Sequence, residues 1–143
     1  MKIEVKFRLS KHIAFFEREL RDYTPFENLS WKEYDEDIHK RRDVERWVEN
    51  IINSSIDISK IILQAEGKIL PDTYKDTVGA FCMIFKFNEE ETKKLSDLVK
   101  LRNIISHEYL DIRWASIKRF ITETGILYKD FLDKTKAYLE KKI

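Results

Sequence analysis

Apolar residues recur every three or four positions along most of this chain, the spacing of helices that each bury one face. At the N-terminus two periods compete. Ile3, Val5, Phe7 and Leu9 alternate with charged residues, as in a strand, whereas Leu9, Ile13, Phe16 and Leu20 step by four, three and four. No second strand-like segment offers the first a partner, so the spacing predicts a helix over most of this region, ended by Pro25. Ser30-Trp31-Lys32-Glu33 has the spacing of a capping box, in which the first and last side chains each bond the other's backbone N–H. From there Val44, Trp47/Val48, Ile51/Ile52, Ser55, Ile58/Ser59 and Ile62 form one stripe, predicting the longest helix, which stops near Gly67 and Pro71. Asp72 or Thr73 can cap a short third helix carrying Val78, Phe81, Met83 and Phe85. Asn88 opens a fourth, with Glu89, Glu90 and Glu91 on the positive end of its dipole. Leu95, Leu98, Leu101 and Ile105 continue its apolar face. Asp111 can cap a final helix carrying Trp114, Ile117, Phe120/Ile121, Leu127/Tyr128, Phe131/Leu132 and Leu139. Gly125 weakens its middle by about 1 kcal/mol relative to Ala. The expected fold is all-α, an up-and-down bundle of about five helices with short connections.

Composition narrows the class. A chain of 143 residues predicts one domain, residues 1–143, around one core. Three Gly and two Pro leave few turns and therefore few, long elements. No apolar run approaches the roughly 20 residues that span a bilayer. Met1-Lys2-Ile3-Glu4-Val5-Lys6 has no apolar core of a secretion signal. Cys82 is the single cysteine, which excludes an internal disulfide and fits a reducing cytoplasm. The net charge of +1 excludes a generic polyanion binder, so any nucleic-acid contact must use a local patch. Abundant Ile, Lys and Glu hint at a heat-adapted source.

The chemistry gathers in Leu101-Arg102-Asn103-Ile104-Ile105-Ser106-His107-Glu108-Tyr109. Arginine is a fixed cation with a planar fork suited to phosphate. Histidine exchanges protons near neutral pH. Together they point to acid–base chemistry on phosphate, although an Arg and a His on one helix also occur by chance. On a straight helix each residue turns about 100°, which puts Arg102 and Tyr109 on one face and His107 about 140° round from Arg102. Either the helix unwinds near Ser106, or a second subunit supplies the other half of the site. Asn103, four residues before His107, could orient the imidazole, or could simply be an exposed polar residue. His107 and Asp111 share that spacing, but no third metal ligand is near in sequence.

The order R-x-x-x-x-H-x-Y, here Arg102, His107 and Tyr109, resembles the signature of the HEPN ribonucleases, in particular the HepT toxins of HepT–MntA toxin–antitoxin pairs. The resemblance covers nearly the whole chain. Val44-Glu45-Arg46-Trp47 and Ser55-Ile56-Asp57-Ile58-Ser59 look like the family's long second helix, and Leu70-Pro71-Asp72-Thr73-Tyr74 like its next turn. It implies a homodimer, or a higher assembly, with a composite cleft at its two-fold axis. It implies a type VII-like toxin: a metal-independent endoribonuclease, needing no cofactor, that cleaves tRNA or mRNA. Arg102 would hold the scissile phosphate and His107 would serve as acid–base, the RNA supplying its own 2′-OH nucleophile. Tyr109 would be the residue to which an MntA-type nucleotidyltransferase antitoxin attaches AMP.

Other features carry less. A non-catalytic, nucleotide-binding partner of a minimal nucleotidyltransferase, or a purely structural dimerisation bundle, would also accommodate this sequence. Lys40-Arg41-Arg42 and Lys129, Lys134, Lys136, Lys141 and Lys142 read as solvated faces, as do His12 and His39. Trp31, Trp47 and Trp114 are expected in the core or a dimer seam. Glu45, Arg46 and Asp57 are candidates for buried, ion-paired supports.

Overall fold

A computed structural model describes residues 1–142, and the described residues form nine helical segments and no strand. They are α1 (Ile3–Arg21), α2 (Thr24–Glu27), α3 (Trp31–Glu36), α4 (Ile38–Ala65), α5 (Tyr74–Ile84), α6 (Glu89–Leu98), α7 (Leu101–His107), α8 (Leu110–Glu123) and α9 (Gly125–Lys142). The five expected helices are present, but three are broken and one short segment is added.

The helical period wins at the N-terminus. Leu9, Ile13 and Phe16 are buried on α1, whereas Ile3 and Phe7 of the strand-like alternation are largely exposed. Pro25 does not end this helix; α1 stops at Arg21, and Pro25 sits in the first turn of α2, where its missing N–H costs nothing. The Ser30–Glu33 capping box forms in full. The long stripe does not start there, however. Asp37 ends α3 and accepts hydrogen bonds from the backbone of His39 and Lys40, so the same residue opens α4.

At 28 residues, α4 is roughly 42 Å long and forms the spine of the bundle. α1, α3, α5, α7 and α8 all pack on it. Its stripe from Val44 to Ile62 is buried as expected, including Ser55 and Ser59, whose hydroxyls bond carbonyls one turn back. Gly67 closes α4 at φ 71°, with the Lys68 N–H reaching the Leu63 carbonyl. α5 ends the same way, but with Lys86 at φ 61° where glycine would be unstrained.

Thr73 and Asn88 cap α5 and α6. Between α6 and α7 the backbone stays in the helical region but tightens. Val99, Lys100, Arg102 and Asn103 donate to carbonyls three residues back, which interrupts the α-helical hydrogen bonding between α6 and α7. The final helix is likewise two. Tyr109, not Asp111, is the residue before α8, and Asp111 lies in its first turn. Thr124 is buried at the joint, and Gly125 begins α9 instead of weakening the middle of a continuous helix.

Trp47 is core and donates from Nε1 to the Glu19 carbonyl at 2.6 Å, tying α4 to α1. Trp114 is half-buried against Tyr34, and Trp31 at their side is exposed. Cys82 is buried, and desolvation pushes its thiol up to about 12. No helix among the described residues is long and apolar enough to cross a membrane.

Candidate functional site

α7 is two turns long and is anchored by Leu101 and Ile105, both buried. That anchoring turns Arg102, Asn103 and Ser106 away from the core. With Val99 they line a cleft of about 310 Å³, whose other wall is Glu49 and Asn53 of α4 and Tyr74 of α5. The cleft is therefore built where the spine, the motif helix and the start of α5 meet. Lys75 and Lys100 both pair with Asp97, at 3.3 and 3.7 Å, and so clip the start of α5 to the α6–α7 joint.

Arg102 is half-buried, and its guanidinium carbon stands 5.3 Å from the Tyr74 ring centroid. No carboxylate forms an ion pair with it among the described residues. A guanidinium held by an aromatic ring but not neutralised retains its donors for an incoming anion. Lys60, also half-buried, places its Nζ 4.4 Å from the centroid of the same ring.

His107 is the last residue of α7, exposed, and does not line this cleft. The helix stays intact through Ser106 and breaks only at Glu108, whose backbone is extended. The angular offset between Arg102 and His107 thus persists within one chain. No hydrogen bond joins Asn103 to His107; Asn103 faces the Arg102 cleft instead. Tyr109 is not on the same helix face as Arg102, because the chain has left α7 before reaching it. It occupies the two-residue link to α8, is 82% exposed, and its side chain caps nothing. Among the described residues no group of three or more His, Cys, Asp or Glu side chains converges, around the His107–Asp111 pair or elsewhere.

One turn before Glu49 on α4 the surroundings change. Glu45 accepts hydrogen bonds from both the Tyr34 hydroxyl and the Arg113 guanidinium, joining α3, α4 and α8. Burial first, then the bond to Glu45, drives the Tyr34 phenol well above its ordinary range. For Arg113, burial is the largest single influence and opposes the charge, but the bond to Glu45 and the further attraction of Glu45 and Tyr34 together outweigh it and hold the guanidinium above its usual value. Glu45 is thus the ion-paired support expected of it. Arg46 is exposed, and Asp57 lies half-buried without an ion pair.

Asp57 lines a second cleft, with Arg8, Lys11 and His12 of α1, and Asn53 borders both clefts. His12 is therefore half-buried and not simply solvent-facing. The basic run is mostly engaged within the chain: Lys40 pairs with Glu33, Arg41 donates to the Asp35 carbonyl, and Lys136 pairs with Glu17. A larger cavity, about 610 Å³, lies between α1, α4 and the α8–α9 joint. Trp47, Phe120 and Tyr128 line it, and it touches neither Arg102 nor His107. Its wall is largely apolar; Arg21 and Lys129 also line it, but no histidine does.

Glu49, Asn53, Lys60 and Tyr74 were not singled out from sequence. Tyr74 closes one of the stretches that resemble the family, but nothing in its spacing marks it as a neighbour of Arg102.

No curated protein matches the chain. Among solved structures, one described as a toxin–antitoxin with AMP-PNP superposes with a TM-score of 0.77 at 18% identity, over 90% of this chain and 97% of its own. A tri-AMPylated HEPN toxin of Shewanella oneidensis in complex with an MNT antitoxin superposes with a TM-score of 0.76, also at 18% identity, over 90% of this chain and 96% of its own. At such identity these likenesses establish the fold, which is that of the HEPN bundle. The family model described as "Ribonuclease HepT-like" matches residues 11–135, and so the chain belongs to the HepT-like ribonuclease family.

Proposed function

We propose that this chain is the toxin of a toxin–antitoxin pair, a metal-independent endoribonuclease that works as a homodimer. The observation that carries the reading is Arg102, an arginine with no carboxylate partner lining an open polar cleft, in a chain of ribonuclease family. In one chain that cleft lacks a proton-transfer histidine, because His107 points elsewhere on the helix. A second copy supplying His107 completes it. His107 takes the proton of the RNA 2′-OH, a histidine protonates the departing 5′-oxygen, and Arg102 binds the phosphate as charge grows on it. The product is a cyclic phosphate, and DNA, which lacks the 2′-OH, is not cut.

The related structures are described as toxin–antitoxin complexes, one with an AMPylated toxin and an MNT antitoxin. That supports a nucleotidyltransferase partner for this chain, with Tyr109 as the AMP acceptor. The exposure of Tyr109, two residues from His107, suits that role. Attached AMP would set negative charge where RNA phosphate must bind.

The absence of His107 from the Arg102 cleft also favours a second reading, a nucleotide-binding partner of the transferase that cleaves nothing. An assay of the purified chain on tRNA and mRNA with EDTA present separates the two. Cleavage to 2′,3′-cyclic phosphate ends supports the nuclease, and intact RNA with a dimeric chain supports the binding partner.

A further inference from the structure

Lys60 and Arg102 come from helices far apart in sequence and meet at one aromatic ring. Their distances to the Tyr74 centroid, 4.4 and 5.3 Å, hold the two charges within about 10 Å of each other. That is no more than a Debye length of about 10 Å at moderate salt, so each charge feels the other and both act on one anionic chain. Neither forms an ion pair with a carboxylate among the described residues, although Glu49 lines the cleft and Asp57 lies one turn before Lys60. The negative face of the ring offsets part of their repulsion, and a bound polyanion would remove the rest. Tyr74 is 46% exposed, so the ring fixes the cations without sealing them from solvent.

We propose that Lys60, Tyr74 and Arg102 form a two-phosphate clamp for single-stranded RNA, in which Lys60 holds a phosphate neighbouring the one Arg102 binds. Tyr74 is a positioning residue that keeps both cations on one strand. The clamp rests on the proposed role of Arg102, and it extends the site from one phosphate to a stretch of backbone. It predicts that Lys60 governs substrate affinity and leaves the chemical step alone.

The test is binding of a short 2′-O-methyl RNA, which lacks the nucleophile and cannot be cut, measured by fluorescence anisotropy across a salt series. For a single strand each phosphate contact contributes about 0.7 to the slope of log K against log salt. Lys60→Gln should lower the slope by about 0.7, Lys60→Arg should retain it, and Tyr74→Leu should lower it by as much or more. Tyr74→Phe, which keeps the ring, should restore the wild-type slope. In cleavage of unmodified RNA, Lys60→Gln should raise KM with kcat little changed. A folded Lys60→Gln protein with the wild-type slope would overturn the clamp, as would a wild-type chain that does not bind this RNA. Weaker binding to the antitoxin with an unaltered RNA slope would also overturn it and reassign the cations to a protein surface. If the wild type binds RNA but does not cut it, the nuclease reading fails while the slope still decides the clamp.

Discussion

Arg102 and Arg113 lie on consecutive helices, and each faces α4 beside a glutamate, Glu49 or Glu45, one turn apart. Only one of the two is neutralised. Arg113 is largely buried and bonded to Glu45, which Tyr34 also holds, and the three side chains lock α3, α4 and α8 together. Arg102 has Tyr74 for a neighbour, Glu49 in the same cleft but unpaired with it, and an open side. A charge satisfied inside the chain serves the fold; one left unsatisfied is free for a ligand.

The comparison breaks first on stability. Glu45→Ala strands the Arg113 charge, whose Nε is already buried without a hydrogen-bond partner. The expected loss is about 3 kcal/mol, which lowers the thermal midpoint by roughly 10 °C. Glu45→Ala with Arg113→Met should recover much of it, because an apolar pair needs no neutralisation. Thermal denaturation that moves by only a degree or two would remove the distinction between the two arginines.

Arg102→Ala and His107→Ala should do the reverse. Stability should stay within about 0.5 kcal/mol of wild type, while cleavage falls by roughly 10² or more. Mixing the two inactive chains sharpens the point. Recovery of activity on mixing shows that the two roles reside on different subunits, and an active monomer in sedimentation would sink the composite site. Near-normal cleavage by folded His107→Ala would remove His107 from the chemistry.

Tyr109→Phe asks whether the uncommitted charge is what silencing opposes. This variant should cleave RNA but resist inactivation by the cognate transferase with ATP and Mg²⁺. Mass spectrometry of the treated wild type should find AMP on the Tyr109 peptide. Full silencing of the variant would place the acceptor elsewhere. The smallest effect is a control remote from both arginines: Lys86→Gly relieves a left-handed lysine at the end of α5. It should gain about 0.5 kcal/mol after the added chain entropy of glycine is set against the relief, with cleavage unaltered.

Caps and faces were legible in the sequence because they are local. Thr73 and Asn88 cap the helices they were expected to cap, the Ser30–Glu33 box forms although it opens the short α3 and not the long helix, and the α4 stripe is buried from Val44 to Ile62. The breaks were harder to read. Val99 and Lys100 keep helical torsions and break the helix only by tightening its hydrogen bonds, which needs no glycine or proline. Asp37 carries a signal, an N-cap side chain between the capping box and the long stripe, but apolar periodicity alone runs through it as one helix. Arg102, Asn103, His107 and Tyr109 could be found as a motif, yet their relations could not, since the turn at Glu108 separates Tyr109 from the face of Arg102. Glu45 meets Arg113 across 68 residues, and Lys60 and Tyr74 reach Arg102 from two other helices. Such pairs are products of packing, and periodicity does not report them.

α7 has a consequence for hydrogen exchange. It is seven residues between two breaks, with two buried side chains, whereas α4 runs 28 residues with thirteen. Local opening of α7 therefore costs far less than opening the spine, and its amides should exchange well before those of α4. The motif rides on one of the least anchored pieces of the bundle. A second subunit, bound RNA or an AMP group that fixes α7 would appear as slowed exchange at residues 102–108, with α4 unmoved. Isotope uptake at that one short helix would then give a direct record of when the site is assembled.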